Sequence, residues 1–60
     1  MSRRERQQAQ VVSALERGHV ARSLVLAREH LREFPDDVVV RDVAERALRL
    51  LKGTAWADEA

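Results

Sequence analysis

The chain has 60 residues, a formal net charge of +1, 35% charged residues and no cysteine. This length accommodates one domain at most, and such a domain buries only about 60% of the surface that its unfolded chain exposes. The lack of cysteine excludes a disulfide framework and any metal site built on thiolate ligands. Small domains are often stabilised by disulfides, metals or oligomerisation, and oligomerisation is the means that remains open for this chain.

The charges are unevenly distributed along the chain. Residues 1–30 carry a net charge of +3, and residues 31–60 carry a net charge of −2. Opposite poles favour head-to-tail self-association or a charged partner, and a solvated surface with a chance imbalance is the alternative interpretation. The ratio of ten arginines to one lysine is typical of GC-rich bacterial codon usage.

The hydropathy pattern contains no targeting or membrane segment. No apolar run approaches the ~20 residues that span a bilayer. The basic start of the chain is not followed by the apolar stretch of a secretory signal. With the absence of cysteine, these features predict a cytoplasmic protein that does not enter a membrane.

The first predicted helix spans about residues 2–17. Ser2 is an acceptable N-cap, and Glu5 follows it at the spacing of a capping box. The apolar residues of this helix all lie in its second half, and the same face projected backwards reaches Gln7 and Gln8. We therefore expect the first two turns to fray, to project past the core, or to contact a partner through polar groups.

The second predicted helix spans about residues 20–34. Gly18 is expected to end the first helix, because Gly tolerates positive φ at a helix C-terminus. The break at Gly18 and His19 is so short that the second helix must turn back on the first. Residues at spacings of three and four form the expected core face: Val20, Leu24, Ala27, Leu31 and Phe34. His30 lies beside this face, and we expect it to be partly buried and hydrogen-bonded, and not a metal ligand.

The third predicted helix spans about residues 38–52. Pro35 ends the second helix, and Asp36 or Asp37 caps the third. Two adjacent carboxylates without further oxygen ligands or a glycine turn do not make a calcium loop. The apolar arc covers about half of the helix circumference, so this helix can touch two neighbours, of which the second is the first helix or another chain.

Lys52 and Gly53 form a typical C-terminal stop for the third helix. The sequence therefore predicts an all-α fold, in which an antiparallel αα-hairpin is followed by a third helix. Residues 1–53 would form a single three-helix domain, and residues 54–60 would form a C-terminal tail.

One part of the sequence resembles a known family. The segment ALERGHVARSL, from Ala14 to Leu24, is followed by a Pro35-Asp36-Asp37 turn. Gly18, Ser23 and the proline fall at the spacing of a tetratricopeptide repeat. The resemblance implies a helical hairpin that binds proteins or peptides. Because repeat arrays normally need about three repeats to bury a continuous core, a single repeat with one further helix implies either self-assembly or a small free-standing relative of the family.

The leading functional hypothesis is a small protein–protein interaction module that is a homodimer. Several apolar side chains lie where one chain is not expected to cover them, and Trp is enriched at interaction hot spots. These residues form the predicted self-association interface: Val25, Leu26, Val39, Val43, Leu50 and Trp56.

Two other hypotheses remain open. The basic start of the first helix, with Arg3, Arg4 and Arg6, could contact nucleic acid, and three helices can hold a helix-turn-helix. Alternatively, the chain is a small subunit or antitoxin-like partner that folds fully only with another protein. An enzyme is not expected, because the sequence has no Gly-rich phosphate loop and no nucleophile elbow, and no cofactor or metal is implied.

Overall fold

Three α-helices make up the molecule. The computed structural model describes the backbone of residues 1–59 and the side chains of residues 1–53. Helix α1 spans Arg3–Glu16, α2 spans Val20–Glu33 and α3 spans Val38–Glu59. Every pair of helices is in contact, and the described residues include no β-strand. The predicted all-α three-helix unit is confirmed, and the ends of the first two helices agree to within one residue.

Local hydrogen bonds close both ends of α1. Ser2 Oγ accepts from the Glu5 N–H at 3.2 Å, and Glu5 Oε1 accepts from the Ser2 N–H at 3.3 Å, so the predicted capping box is confirmed. At the other end Gly18 has a φ of 84°. The N–H groups of Gly18 and His19 donate to carbonyls in the last turn of α1. This Schellman motif reverses the chain, and α1 and α2 form the predicted hairpin.

The centre of the core brings together one buried aliphatic residue from each helix: Val11, Ala27 and Val40. Ala47 of α3 is also fully buried. A buried hydrogen bond of 3.1 Å from Ser23 Oγ to the Val11 carbonyl marks the close approach of α1 and α2. Half-buried side chains pack around this centre: Leu26, Leu31, Val43 and Ala44. Small side chains at the helix contacts let the backbones come close together.

The buried side of α2 differs from the predicted apolar face. Ala27 is fully buried, but the other four members of that face, which are Val20, Leu24, Leu31 and Phe34, are only half-buried. Ser23 and His30 are buried in their place. The difference arises because small and hydrogen-bonded residues can occupy a close helix contact, whereas the prediction counted apolar residues alone.

The predicted end of α3 at Lys52 is wrong. The helix continues through Gly53 to Glu59. No helix end therefore separates residues 1–53 from the start of the predicted C-terminal tail. A glycine inside a helix costs only about 1 kcal/mol relative to Ala, and it ends a helix mainly where its φ is positive. Gly18 has such a φ and Gly53 does not. Residues 54–59 contain no proline that would stop the helix.

No helix in the part of the chain that the structure describes combines the length and apolar character needed to cross a membrane.

Candidate interaction surface

A buried polar cluster joins the three helices at the end of the molecule where α2 meets α3. His30 and Asp37 are each only 2% exposed. His30 Nε2 lies 2.7 Å from Asp37 Oδ2, and His30 Nδ1 lies 2.8 Å from Gln7 Oε1. The atoms that face the two ring nitrogens are both oxygens, so hydrogen bonds hold the His30 ring between Gln7 and Asp37.

Asp37 is the residue to which most of these contacts converge. Its Oδ1 accepts from the Val40 N–H at 3.3 Å, so the predicted capping of α3 is confirmed for Asp37. Gln8 Nε2 also donates to Oδ1 at 3.3 Å, and Arg4 Nε lies 3.6 Å from Oδ2. Among the side chains that the structure describes, no buried nitrogen or oxygen lacks a hydrogen-bond partner. The cluster is therefore fully satisfied.

The first two turns of α1 dock within the chain, which corrects the expectation that they would fray, project or need a partner. Gln7 Nε2 donates to Glu33 Oε2 at 3.4 Å, and Arg3 pairs with Glu33 at 2.9 Å. The Arg4 guanidinium lies 5.4 Å from the centre of the Phe34 ring. The sequence placed Gln7 and Gln8 on the face of α1 that continues the core face, but it did not identify His30 and Asp37 as their partners.

Acid is expected to weaken the fold through Asp37. Burial raises the pKa of the Asp37 carboxyl, but hydrogen bonds from His30 and Val40 and the charges of His30 and Arg4 outweigh burial and lower the pKa below its ordinary value. Because the pKa of Asp37 is lower in the folded state than in the unfolded state, ionised Asp37 stabilises the fold. This stabilisation is complete above the unfolded-state pKa of about 4, and it is lost as the pH falls through the folded-state pKa.

The measurement is the urea midpoint of unfolding as a function of pH, followed by far-UV circular dichroism. An Asp37→Asn variant, which cannot titrate at this position, should show a flatter acid limb. If both proteins lost the same stability as the pH falls, Asp37 would not be the group that makes the stability depend on pH.

A groove of about 430 Å³ runs between α1 and α3. These two helices contact each other less extensively than either contacts α2, which leaves the groove open. Its apolar walls come from Met1, Ala9 and Val12 on the α1 side and from Val39 on α3, which is 50% exposed. We call this feature the α1–α3 groove. Val39, one of the predicted interface residues, is part of its lining.

The structure places the predicted α3 interface residues on one flank of that helix. Val39, Val43 and Leu50 fall within an arc of about 40° at 100° per residue. Val43 is half-buried against the core, and Leu50 is 47% exposed. The sequence interpretation missed the α1 wall of the groove, although the spacing of three between Ala9 and Val12 is typical of one helix face.

The predicted α2 interface residues lie elsewhere. Leu26 packs against the core, on the side of α2 next to α1. Val25 is 54% exposed and lies on the side of α2 away from Ala27. The structure therefore does not bring these two residues together with the α1–α3 groove. Trp56 lies outside the side chains that the structure describes, so its role stays a prediction.

The predicted basic start is partly neutralised within the chain. Arg3 pairs with Glu33, and Arg4 lies near both Asp36 and Asp37. Arg6 is exposed. Because acidic residues of the same chain already engage two of the three arginines, no described contact favours a nucleic-acid interface here.

The fold and the site define a three-helix all-α unit with a buried polar cluster and an apolar groove. No protein-family model, no curated protein and no solved structure matches this chain. Among the residues that the structure describes, no group of three or more His, Cys, Asp and Glu side chains could hold a metal ion.

Proposed function

We propose that the chain is a small protein–protein interaction module without catalytic activity, and that it self-associates through the α1–α3 groove. The observation that carries the proposal is the apolar groove itself, in which Met1 and Val39 are at least half-exposed. Exposed apolar side chains that are grouped in this way mark interaction sites more often than single exposed ones do.

A second copy of the chain is the occupant that the groove favours. The α1 wall of the groove includes Glu5 and Glu16. The α3 flank includes the exposed Arg46, which lies at helical spacing between Val43 and Leu50. In a two-fold dimer the same patch meets itself, so the acidic α1 wall of one copy can face Arg46 of the other. The small size of the core adds to the advantage of association.

The tetratricopeptide resemblance supports the same function. Gly18 makes the tight turn of the hairpin, and Ser23 is the small residue where α2 crosses α1. The Pro35 turn leads to the Asp37 cap of α3. A single unit of this kind would expose the faces that neighbouring repeats cover in an array, so self-association replaces the missing repeats. We further propose a cytoplasmic location and a bacterial source.

Sedimentation equilibrium at micromolar concentration tests the proposal. We expect the unaltered chain to be a dimer and Val39→Glu to weaken dimerisation by at least about tenfold, because a carboxylate would be buried in an apolar interface. The change should not harm the helix, since Glu is favourable in the first turn.

Val38→Glu is the matched control. Val38 precedes Val39, is 62% exposed and points about 100° away from it around the helix. The same substitution there should leave the dimer intact. A monomeric unaltered chain, or equal effects of the two substitutions, would contradict the proposed interface.

A further inference from the structure

A second cleft, of about 240 Å³, lies at the hairpin end of the molecule. It is formed by the end of α1 and the start of α2, and its cationic or titratable lining residues are Arg17, His19 and Arg22. No carboxylate lines it. The neutral polar residues Gln10 and Ser13 and the apolar residues Ala14, which is buried, and Leu26, which is half-buried, complete the lining. The cleft therefore combines positive charge with an apolar surface.

The two arginines of this cleft differ from the arginines at the start of α1. Arg3 pairs with Glu33, and Arg4 lies near Asp37. For Arg17 and Arg22, in contrast, no ion pair forms with any residue that the structure describes. Their guanidinium groups keep their hydrogen-bonding capacity for a ligand from outside the chain.

We propose that this cleft binds an acidic side chain of a peptide segment from a partner protein. The planar guanidinium presents paired N–H donors that match the two oxygens of a carboxylate. Ala14 and Leu26 provide a surface for the methylene groups of the same ligand. The volume lies below the ~300 Å³ from which small-molecule pockets usually begin, which favours a single side chain over a whole metabolite.

The cleft goes beyond the proposed self-association. It uses the face of α1 that carries Ser13 and Arg17, whereas the α1–α3 groove uses the face that carries Ala9 and Val12. These faces lie on different sides of α1, so a dimer formed through the groove would leave the cleft open. Variants at the groove and variants at the cleft can therefore be tested independently.

Titration of the ¹⁵N-labelled chain with tetraglutamate, observed by NMR, tests the proposal. We expect shifts at the amides of Ala14, His19 and Leu26, and no such shifts with tetraglutamine. The double variant Arg17→Gln with Arg22→Gln should weaken binding by at least about tenfold, because it removes the charge-assisted hydrogen bonds to the carboxylate.

The matched control is the double variant Arg28→Gln with Arg32→Gln. Both residues are exposed on α2, and neither lines the cleft. This variant changes the net charge equally and should bind tetraglutamate as the unaltered chain does. Equal weakening in both double variants, or equal shifts with tetraglutamine, would overturn the proposal. Tighter binding of a single-stranded oligonucleotide at the same amides would also overturn it.

Discussion

Replacing Asp37 with Ala should destabilise the fold by about 3–5 kcal/mol, which is the usual cost of breaking a buried ion pair by removing one partner. The substitution leaves the His30 ring nitrogen without its acceptor and removes the cap from the Val40 N–H. It also deprives Gln8 of the carboxylate oxygens to which it donates. A small domain has a total stability toward the lower end of about 5–15 kcal/mol, so this variant should retain only a small part of it.

The neighbouring residue provides the control for this experiment. The Asp36 side chain is 78% exposed, and it forms an ion pair of 3.5 Å with Arg4. Asp36→Ala removes an identical group from the same turn and should stay within the ~0.5 kcal/mol that is typical of surface substitutions. Both free energies of unfolding can be obtained from urea titrations at neutral pH. Similar losses in the two variants would show that the buried cluster does not support the fold.

Asp37→Asn separates the charge of the cluster from its capping role. Asn is a good N-cap and can still accept from the Val40 N–H. His30 Nε2, however, would lose its carboxylate partner. We therefore expect the stability of this variant to fall between those of Asp37→Ala and the unaltered chain. Stability equal to that of Asp37→Ala would assign the whole effect to charge.

Replacing Ala27 with Leu should destabilise the fold by about 1–3 kcal/mol or more through overpacking. Ala27 is 0% exposed and lies between Val11 of α1 and Val40 of α3. A leucine side chain there must push at least one of these helices away from α2. In a domain of this size the loss corresponds to a fall in the thermal midpoint of about 4–8 °C for each kcal/mol.

Ala21→Leu is the matched control on the same helix. Ala21 is exposed in the first turn of α2, and Ala and Leu have similar helix propensities. Its thermal midpoint should therefore remain close to that of the unaltered chain. If the two leucine variants had the same thermal midpoint, the close packing of the helices around Ala27 would be contradicted.

The fold could be predicted largely because its helix signals are local. Ser2 with Glu5, Gly18, and the Pro35 turn with Asp37 each act within a few residues. Apolar spacing then identified the three helices. Gly53 misled the prediction, because a glycine ends a helix only where the backbone takes a positive φ, and that depends on conformation as much as on residue type.

The polar cluster could not be predicted because its contacts are distant in sequence. Gln7 and His30 are 23 residues apart, and Gln8 and Asp37 are 29 residues apart. Composition shows that these side chains exist, and periodicity shows on which face of a helix they lie. Neither shows how far one helix is shifted along another. For the same reason, the sequence could propose Val39 for an interface but could not identify Met1, Ala9 and Val12 as the opposite wall.

The cluster has a consequence for how α1 aligns along α2. Ser23 and Ala27 present small side chains to α1, and apart from the hydrogen bond from Ser23 to the Val11 carbonyl, such a surface would tolerate sliding by one helical turn of about 5.4 Å. A slide of that size would separate Gln7 from His30, whose contact is 2.8 Å, and would leave buried polar atoms without partners. The hydrogen bonds at one end of the hairpin thus select a single axial register along its whole length.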